Sequence, residues 1–173
     1  MSYEMSFEMF VGEKEQRAEV LTVAKKALIR KGYREFADRL IADKTDCKLI
    51  RDSLGSFLGD NFDKVVSMIY EAVAKELPDV DFKGFSCYAW GTYEAGHSFE
   101  KVGNILKVNK VGCDGDGSCP ECGEEVVDVD NFDPNKTYIC PECGEEIPAS
   151  YLFADFYKED KTFEIIDRKL IEK

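Results

Sequence analysis

The sequence has little of what usually announces a function. It contains one histidine, one tryptophan and five prolines in 173 residues, and no apolar run long enough to cross a bilayer. The lone histidine, His97, follows Gly96 in a stretch that reads as a turn. No third residue and no oxyanion-hole pattern accompany it, so a Cys87–His97 nucleophile pair is set aside and no catalytic constellation is expected. The stretch from Met1 to Glu8 lacks the basic region of a secretory leader, which with the missing span points to a cytoplasmic protein that touches no membrane. Pro-rich linkers and low-complexity tracts are absent, and the length suits one main core plus a small satellite that needs its own staple.

What is present is apolar and aromatic enough to fold, with 12 Phe and 8 Tyr. The seven cysteines are an odd number and four sit at metal-ligand spacing, which fits a reducing compartment better than a disulfide scaffold. The net charge of −12 is unevenly spread. Residues 1–112 carry 17 Lys and Arg against 18 Asp and Glu, and residues 150–173 carry 5 against 6, whereas residues 113–149 set Lys136 alone against 11 acids. Such a segment repels phosphate backbones, because nucleic-acid affinity rests on lysines and arginines that neutralise phosphates.

Periodicity divides the chain. Val20, Leu21, Ala24, Ala27 and Leu28 recur at helical spacing and predict a helix from Glu13 to Lys31, closed by Gly32 in a left-handed cap. A short helix is expected over Tyr33 to Ala42. The stretch from Asp43 to Gly59 has an apolar set, Leu49, Ile50, Leu54, Phe57 and Leu58, of no clear period. A helix capped by Asp60 or Asn61 then carries Phe62, Val65, Val66, Ile69, Ala72, Val73 and Leu77 on one stripe and stops at Pro78. The first eighty residues therefore read as helical. Beyond them, Phe82 to Tyr93 and Phe99 to Val111 predict two strands joined through Glu94 to Ser98, with a bulge at Gly103-Asn104. Tyr151 to Tyr157 and Thr162 to Ile171 predict a second hairpin around Lys158 to Lys161. The expected fold is α+β. Its parts are a helical region over 1–80, an antiparallel sheet of about four strands from 81–112 and 151–173 that forms one body with the helices, and a cysteine module over 113–150 between the second and third strands.

That module holds two copies of one pentapeptide, Cys119-Pro-Glu-Cys122-Gly and Cys140-Pro-Glu-Cys143-Gly. Two thiolates separated by two residues reach one ion, the proline stiffens the turn, and the glycine serves where a positive φ is needed. Two such knuckles supply four sulfurs to a tetrahedral ion. Over about Cys119 to Ile147 this resembles the zinc-ribbon family, and the knuckle is also that of rubredoxins, which usually have a longer interval and an aromatic cluster around iron. The resemblance implies one structural zinc per chain, held by Cys119, Cys122, Cys140 and Cys143. Four sulfur ligands leave no open position for water or substrate, so the ion would serve folding and not Lewis-acid chemistry.

Other features take plainer readings. Cys113 reads as a loop thiol outside a complete ligand set, and Cys47 and Cys87 as small core residues. Asp114, Asp116, Ser118 and Glu125 imitate a calcium loop, but Cys119 occupies the position that loop needs as glycine. Lys25, Lys26, Arg30, Lys31 and Arg34 read as a solvated helix end, and Tyr88, Trp90 and Tyr93 as a sheet face packed on helices. The expected function is non-enzymatic protein binding, with Glu124, Glu125, Asp128 and Asp130 as the partner surface. The expected partner is a protein with a basic face, one sharp form being an anti-CRISPR-like inhibitor that fills a nucleic-acid channel. The alternatives are a rubredoxin-like redox protein with iron, or a nucleic-acid-binding accessory factor of transcription or translation. Direct nucleic-acid binding is not expected.

Overall fold

The computed structural model describes residues 3–42, 48–51, 62–90 and 93–173. In chain order the elements are β1 (Tyr3–Val11), α1 (Lys14–Arg30), α2 (Arg34–Arg39), β2 (Ile41–Ala42), β3 (Lys48–Arg51), α3 (Phe62–Glu76), β4 (Phe82–Trp90), β5 (Tyr93–Val102), β6 (Ile105–Asp114), β7 (Thr137–Ile139), β8 (Glu146–Pro148), α4 (Ala149–Leu152), β9 (Ala154–Ile166) and β10 (Lys169–Glu172). Eight strands form one antiparallel sheet in the order β10-β9-β6-β5-β4-β1-β3-β2, and β7 pairs with β8 separately. The fold is α+β, as the sequence predicts, but mostly sheet.

The first unit, from β1 through α1, β2, β3 and α3 to β4, has the sheet order β4-β1-β3-β2. This is the split βαβ connectivity of ferredoxin-like sheets. The strands β5, β6, β9 and β10 extend it beyond β4.

Helices cover one face. Val20, Ala24 and Leu28 of α1 and Val65, Val66, Ile69 and Val73 of α3 are buried against Phe7, Met9, Val11, Phe82, Phe99, Leu106 and Val108 of the sheet. Each such side chain taken from water contributes about 1.5–3 kcal/mol. Helix α1 ends as expected: Gly32 has φ +88, and Tyr33 N donates to Leu28 O.

Several boundaries differ from those the sequence predicts. The first eighty residues are not all helical: β1 lies in the middle of the sheet, and β2 and β3 follow α2. The alternation of Phe7, Met9 and Val11 toward the helices with Ser6, Glu8 and Phe10 on the other face carries β1. The stretch Glu94 to Ser98 is no turn, because β5 runs through it in register with β4 and β6. The hairpin turn is instead Gly103-Asn104, where Gly103 has φ +58 and its N–H donates to Asp81 Oδ1. Likewise β9 runs straight through Lys158 to Lys161, and the turn falls at Asp167-Arg168, both at positive φ, the geometry of a two-residue hairpin. Along the charged run Lys158 and Asp160 are exposed on one face and Glu159 and Lys161 half-buried on the other, with Lys161 paired to Glu159 at 2.7 Å. The sheet thus has eight strands and not about four, and the cysteine module follows β6 and precedes β9 instead of dividing a second strand from a third. The expected cap at Asp60 or Asn61, Cys47, and Leu54, Phe57 and Leu58 lie outside the described residues.

Candidate metal centre

The two pentapeptides fold alike. Cys119 N donates to Glu124 O at 2.8 Å and Gly123 N to Cys119 O at 2.8 Å; Cys140 N donates to Glu145 O at 2.9 Å and Gly144 N to Cys140 O at 3.0 Å. Gly123 and Gly144 have φ +77 and +75, the left-handed conformation that the pattern requires of a glycine. Each knuckle therefore turns its two sulfurs to one side.

The four sulfurs meet. Cys119 Sγ lies 3.7 Å from Cys143 Sγ, and Cys122 Sγ lies 3.5 Å from Cys140 Sγ; all four lie within 4.8 Å of one another. Ligands at ~2.3 Å from the centre of a tetrahedron stand about 3.8 Å apart, so the cluster has the size of a four-sulfur metal site. Backbone amides support it. Those of Cys143 and Glu142 point at Cys140 and hold its thiol down to about 7; the amides of Glu124 and Glu145 face Cys122 and Cys143, whose thiols are nevertheless pushed up by the neighbouring sulfurs. Such donors stabilise thiolate and orient it for a cation.

A small core backs the sulfurs. Buried Cys119 and Cys140 join Cys113, Phe132, Ile147, Ala149, Leu152 and Phe153. Phe132 stacks on Tyr138 at 5.8 Å and meets Phe153 and Phe156 edge-on at 4.9 and 4.8 Å, which ties the module to β9. Chain crossings at Gly115 and Gly117 complete the junction. A Cβ at Gly115 would stand 2.3 Å from Leu152 O, and one at Gly117 would stand 2.0 Å from Val127 O. The glycines of the calcium-loop imitation are there for this close approach, and Asp116 accepts the Ser118 N–H.

Cys113 belongs to β6 and is buried in the module core; it is not the loop thiol the sequence predicts, and it stands apart from the four-sulfur group. The proposed partner surface divides. Glu124, Glu125 and Asp130 are exposed. Asp128 is exposed too, but its Oδ1 accepts from the N–H groups of Asp130 and Asn131 and from Asn131 Nδ2, capping a turn of 3-10 helix at Val129–Asn131. These bonds, led by the Asn131 side chain, hold its carboxyl below the usual range.

His97 is the residue that sequence reasoning placed wrongly. It is not in a turn; it sits on β5 under α3 with a fully buried side chain, its Nε2 donating to Asp63 Oδ1. Cys87 is exposed on the opposite face, so the sheet itself separates the conceivable Cys87–His97 pair. Tyr88 packs partly against the main core on the helix side, as expected of a strand under helices. Among the basic residues of α1 and α2, Lys26, Arg30, Lys31 and Arg34 are exposed, and Arg30 reaches Glu76 at 3.5 Å.

Among the described residues no helix is long and apolar enough to cross a membrane. No protein-family model, curated protein or solved structure matches the chain.

Proposed function

We propose that the chain is a non-enzymatic binding protein whose cysteine module is a structural zinc ribbon that presents an acidic surface to a basic protein partner. The observation that carries this reading is the composition of the module's exterior. Glu121, Glu124, Glu125, Glu142, Glu145 and Glu146 are all exposed, and Ile139, the cross-strand partner of Glu146, is left in water at 65% exposure. An exposed apolar side chain beside carboxylates is the chemistry of a docking surface, where the anchor supplies affinity and the charges supply steering.

The metal assignment rests on the knuckle spacing and on four sulfurs with no further ligand among the described residues. Thiolates held this way belong in a reducing compartment, which favours the cytoplasm. A basic partner is most simply a protein built to hold nucleic acid, and the sharpest form of the proposal is an inhibitor that occupies such a channel in the manner of anti-CRISPR proteins.

The experiment is affinity capture from the cells that make the protein, comparing wild type with Glu124→Lys, Glu125→Lys and Asp130→Lys combined, and with Ile139→Ser. Both variants should keep stoichiometric zinc and an unchanged circular dichroism spectrum, and both should lose a partner that the wild type holds in a salt-sensitive manner. Equal capture by all three, or a ferric–thiolate spectrum with stoichiometric iron, would overturn the proposal.

A further inference from the structure

Among the described residues no helix covers the other face of the sheet, and the register sets out what that face displays. Phe10, Lys83, Glu100 and Lys107 are successive partners across β1, β4, β5 and β6. Phe85, Ser98, Asn109 and Asp160 form the next row, from β4 to β9. The two rows line a cavity of about 770 Å³. Ser98 is a small side chain between two larger neighbours, which helps to make the face concave. The volume lies in the range of a small-molecule site, about 300–1,000 Å³.

The walls differ in chemistry. On one side the rings of Phe10 and Phe85 stand 6.2 Å apart, tilted by 33°, and Phe85 is left 45% exposed. Along the first row two lysines flank one glutamate, and among the described residues Lys83, Glu100 and Lys107 make no ion pair. On the far side Asn109 donates to Asp160. The face therefore offers an aromatic wall, two unpaired cations and carboxylates able to accept from hydroxyl groups.

We propose that this concave face binds a mononucleotide, with the base against Phe10 and Phe85, the ribose hydroxyls donating to Glu100 on the next strand, and the phosphate on Lys107 one strand further. Base stacking on aromatic rings is sequence-tolerant, and a lysine binds phosphate as a point charge. A carboxylate that accepts ribose hydroxyls is the device nucleotide sites commonly use. The face selects against two other occupants. A longer nucleic acid would carry further phosphates past Asp160 on the strand beyond Lys107, where like charges repel. A second copy of the chain would set one concave surface against another and enclose an unfilled void, which close-packed interfaces avoid. The acid excess of the chain lies in residues 113–149 and does not line this cavity.

The test is calorimetric titration of the full chain with AMP and UMP, alongside adenosine, inorganic phosphate and a single-stranded ten-mer, with sedimentation to report self-association. The nucleotides should saturate one site per chain and bind more tightly than adenosine or phosphate alone. Phe85→Ala and Lys107→Glu should each weaken AMP by about tenfold. Ser98→Leu, which fills the cavity from an exposed position, should abolish binding with zinc content and circular dichroism unchanged. Glu19→Lys, exposed on α1 across the sheet, should leave AMP binding as it is. The proposal is overturned if neither nucleotide binds the wild type, if Ser98→Leu binds AMP normally, if the ten-mer binds more tightly per site than AMP, or if the chain dimerises through this face and Phe85→Ala makes it monomeric.

Discussion

His97 Nε2 donates to Asp63 Oδ1 across 2.8 Å, so the one histidine of the sequence ties β5 to the first turn of α3. The hydrogen bond from His97, opposed by partial burial and aided by the charges of His97 and Lys110, holds the Asp63 carboxyl below its usual value. A depressed carboxyl contributes stability that is present above the unfolded-state pKa and lost as pH falls through the folded value. Wild type should therefore lose more stability than Asp63→Ala between about pH 5 and pH 3, because the variant has no such group to protonate. At neutral pH, Asp63→Ala should cost about 1–3 kcal/mol in urea unfolding, the penalty of leaving a buried donor unpaired. Equal stability at both pH values would remove the pair from the list of what holds α3 to the sheet.

Lys101 is a lysine with no exposed side-chain surface. Its Nζ donates to Pro78 O at 2.7 Å and Val80 O at 2.8 Å, closing the turn between α3 and β4, and burial lowers its pKa. Lys101→Met keeps most of the apolar stem but leaves both carbonyls without this donor, so it should destabilise by about 2 kcal/mol. Lys101→Arg should not rescue it, since the larger planar head does not fit a site shaped for a point donor. A denaturation midpoint for the Met variant equal to wild type would show that water replaces the amine.

Replacement of Cys119 or Cys143 by serine should release the metal and unfold residues 115–153, with most helical signal retained because α1 and α3 pack in a separate core. A metal bound in this way is worth about 10–16 kcal/mol of apparent free energy near neutral pH, more than the small core behind it supplies. Cys113→Ser should keep the metal, because its sulfur packs and does not ligate. Zinc content by absorption spectroscopy and the amide spectrum of the module check both. Metal loss from the Cys113 variant would assign the four ligands anew.

Asp128→Ala should loosen the turn at Val129–Asn131, read as faster amide exchange at Asp130 and Asn131, whereas Glu124→Ala should leave the same amides unchanged. The two residues lie four apart in one acidic segment, yet of the two side chains only that of Asp128 accepts hydrogen bonds from backbone amides. Identical exchange in both variants would return Asp128 to the surface set.

The four-cysteine cluster was legible because its information is local: spacing within Cys119–Cys122 and Cys140–Cys143, and a glycine after each, fix the geometry with few distant partners. Helices α1 and α3 were legible for the same reason, their buried stripes being written at three- and four-residue spacing. Turns were not. Glu94 to Ser98 has the composition of a loop, but Gly96 and Ser98 fall on the face of the sheet away from the helices, where small polar residues are tolerated, and Ala95, His97 and Phe99 face the core. Lys158 to Lys161 misled for a related reason, since a run with charged residues on both faces lacks the apolar and polar alternation that marks a strand, although its burial alternates. Buried His97 could not be foreseen from its neighbours, because Asp63 lies 34 residues away and only the packing of α3 brings the two together.

Strands β6 and β9 pair along most of their length, and their last partners, Asp114 and Ala154, are the residues at which the metal module leaves and rejoins the sheet. The module is therefore a closed appendix on a hairpin, with both of its ends held at one strand spacing. A chain in which residues 115–153 are exchanged for a short glycine-containing turn should retain the register on either side, since the loop-closure term only falls when the loop is shortened. The same junction would accept a foreign metal-binding loop of similar span, which makes the sheet a carrier on which the acidic surface can be swapped without redesigning the core.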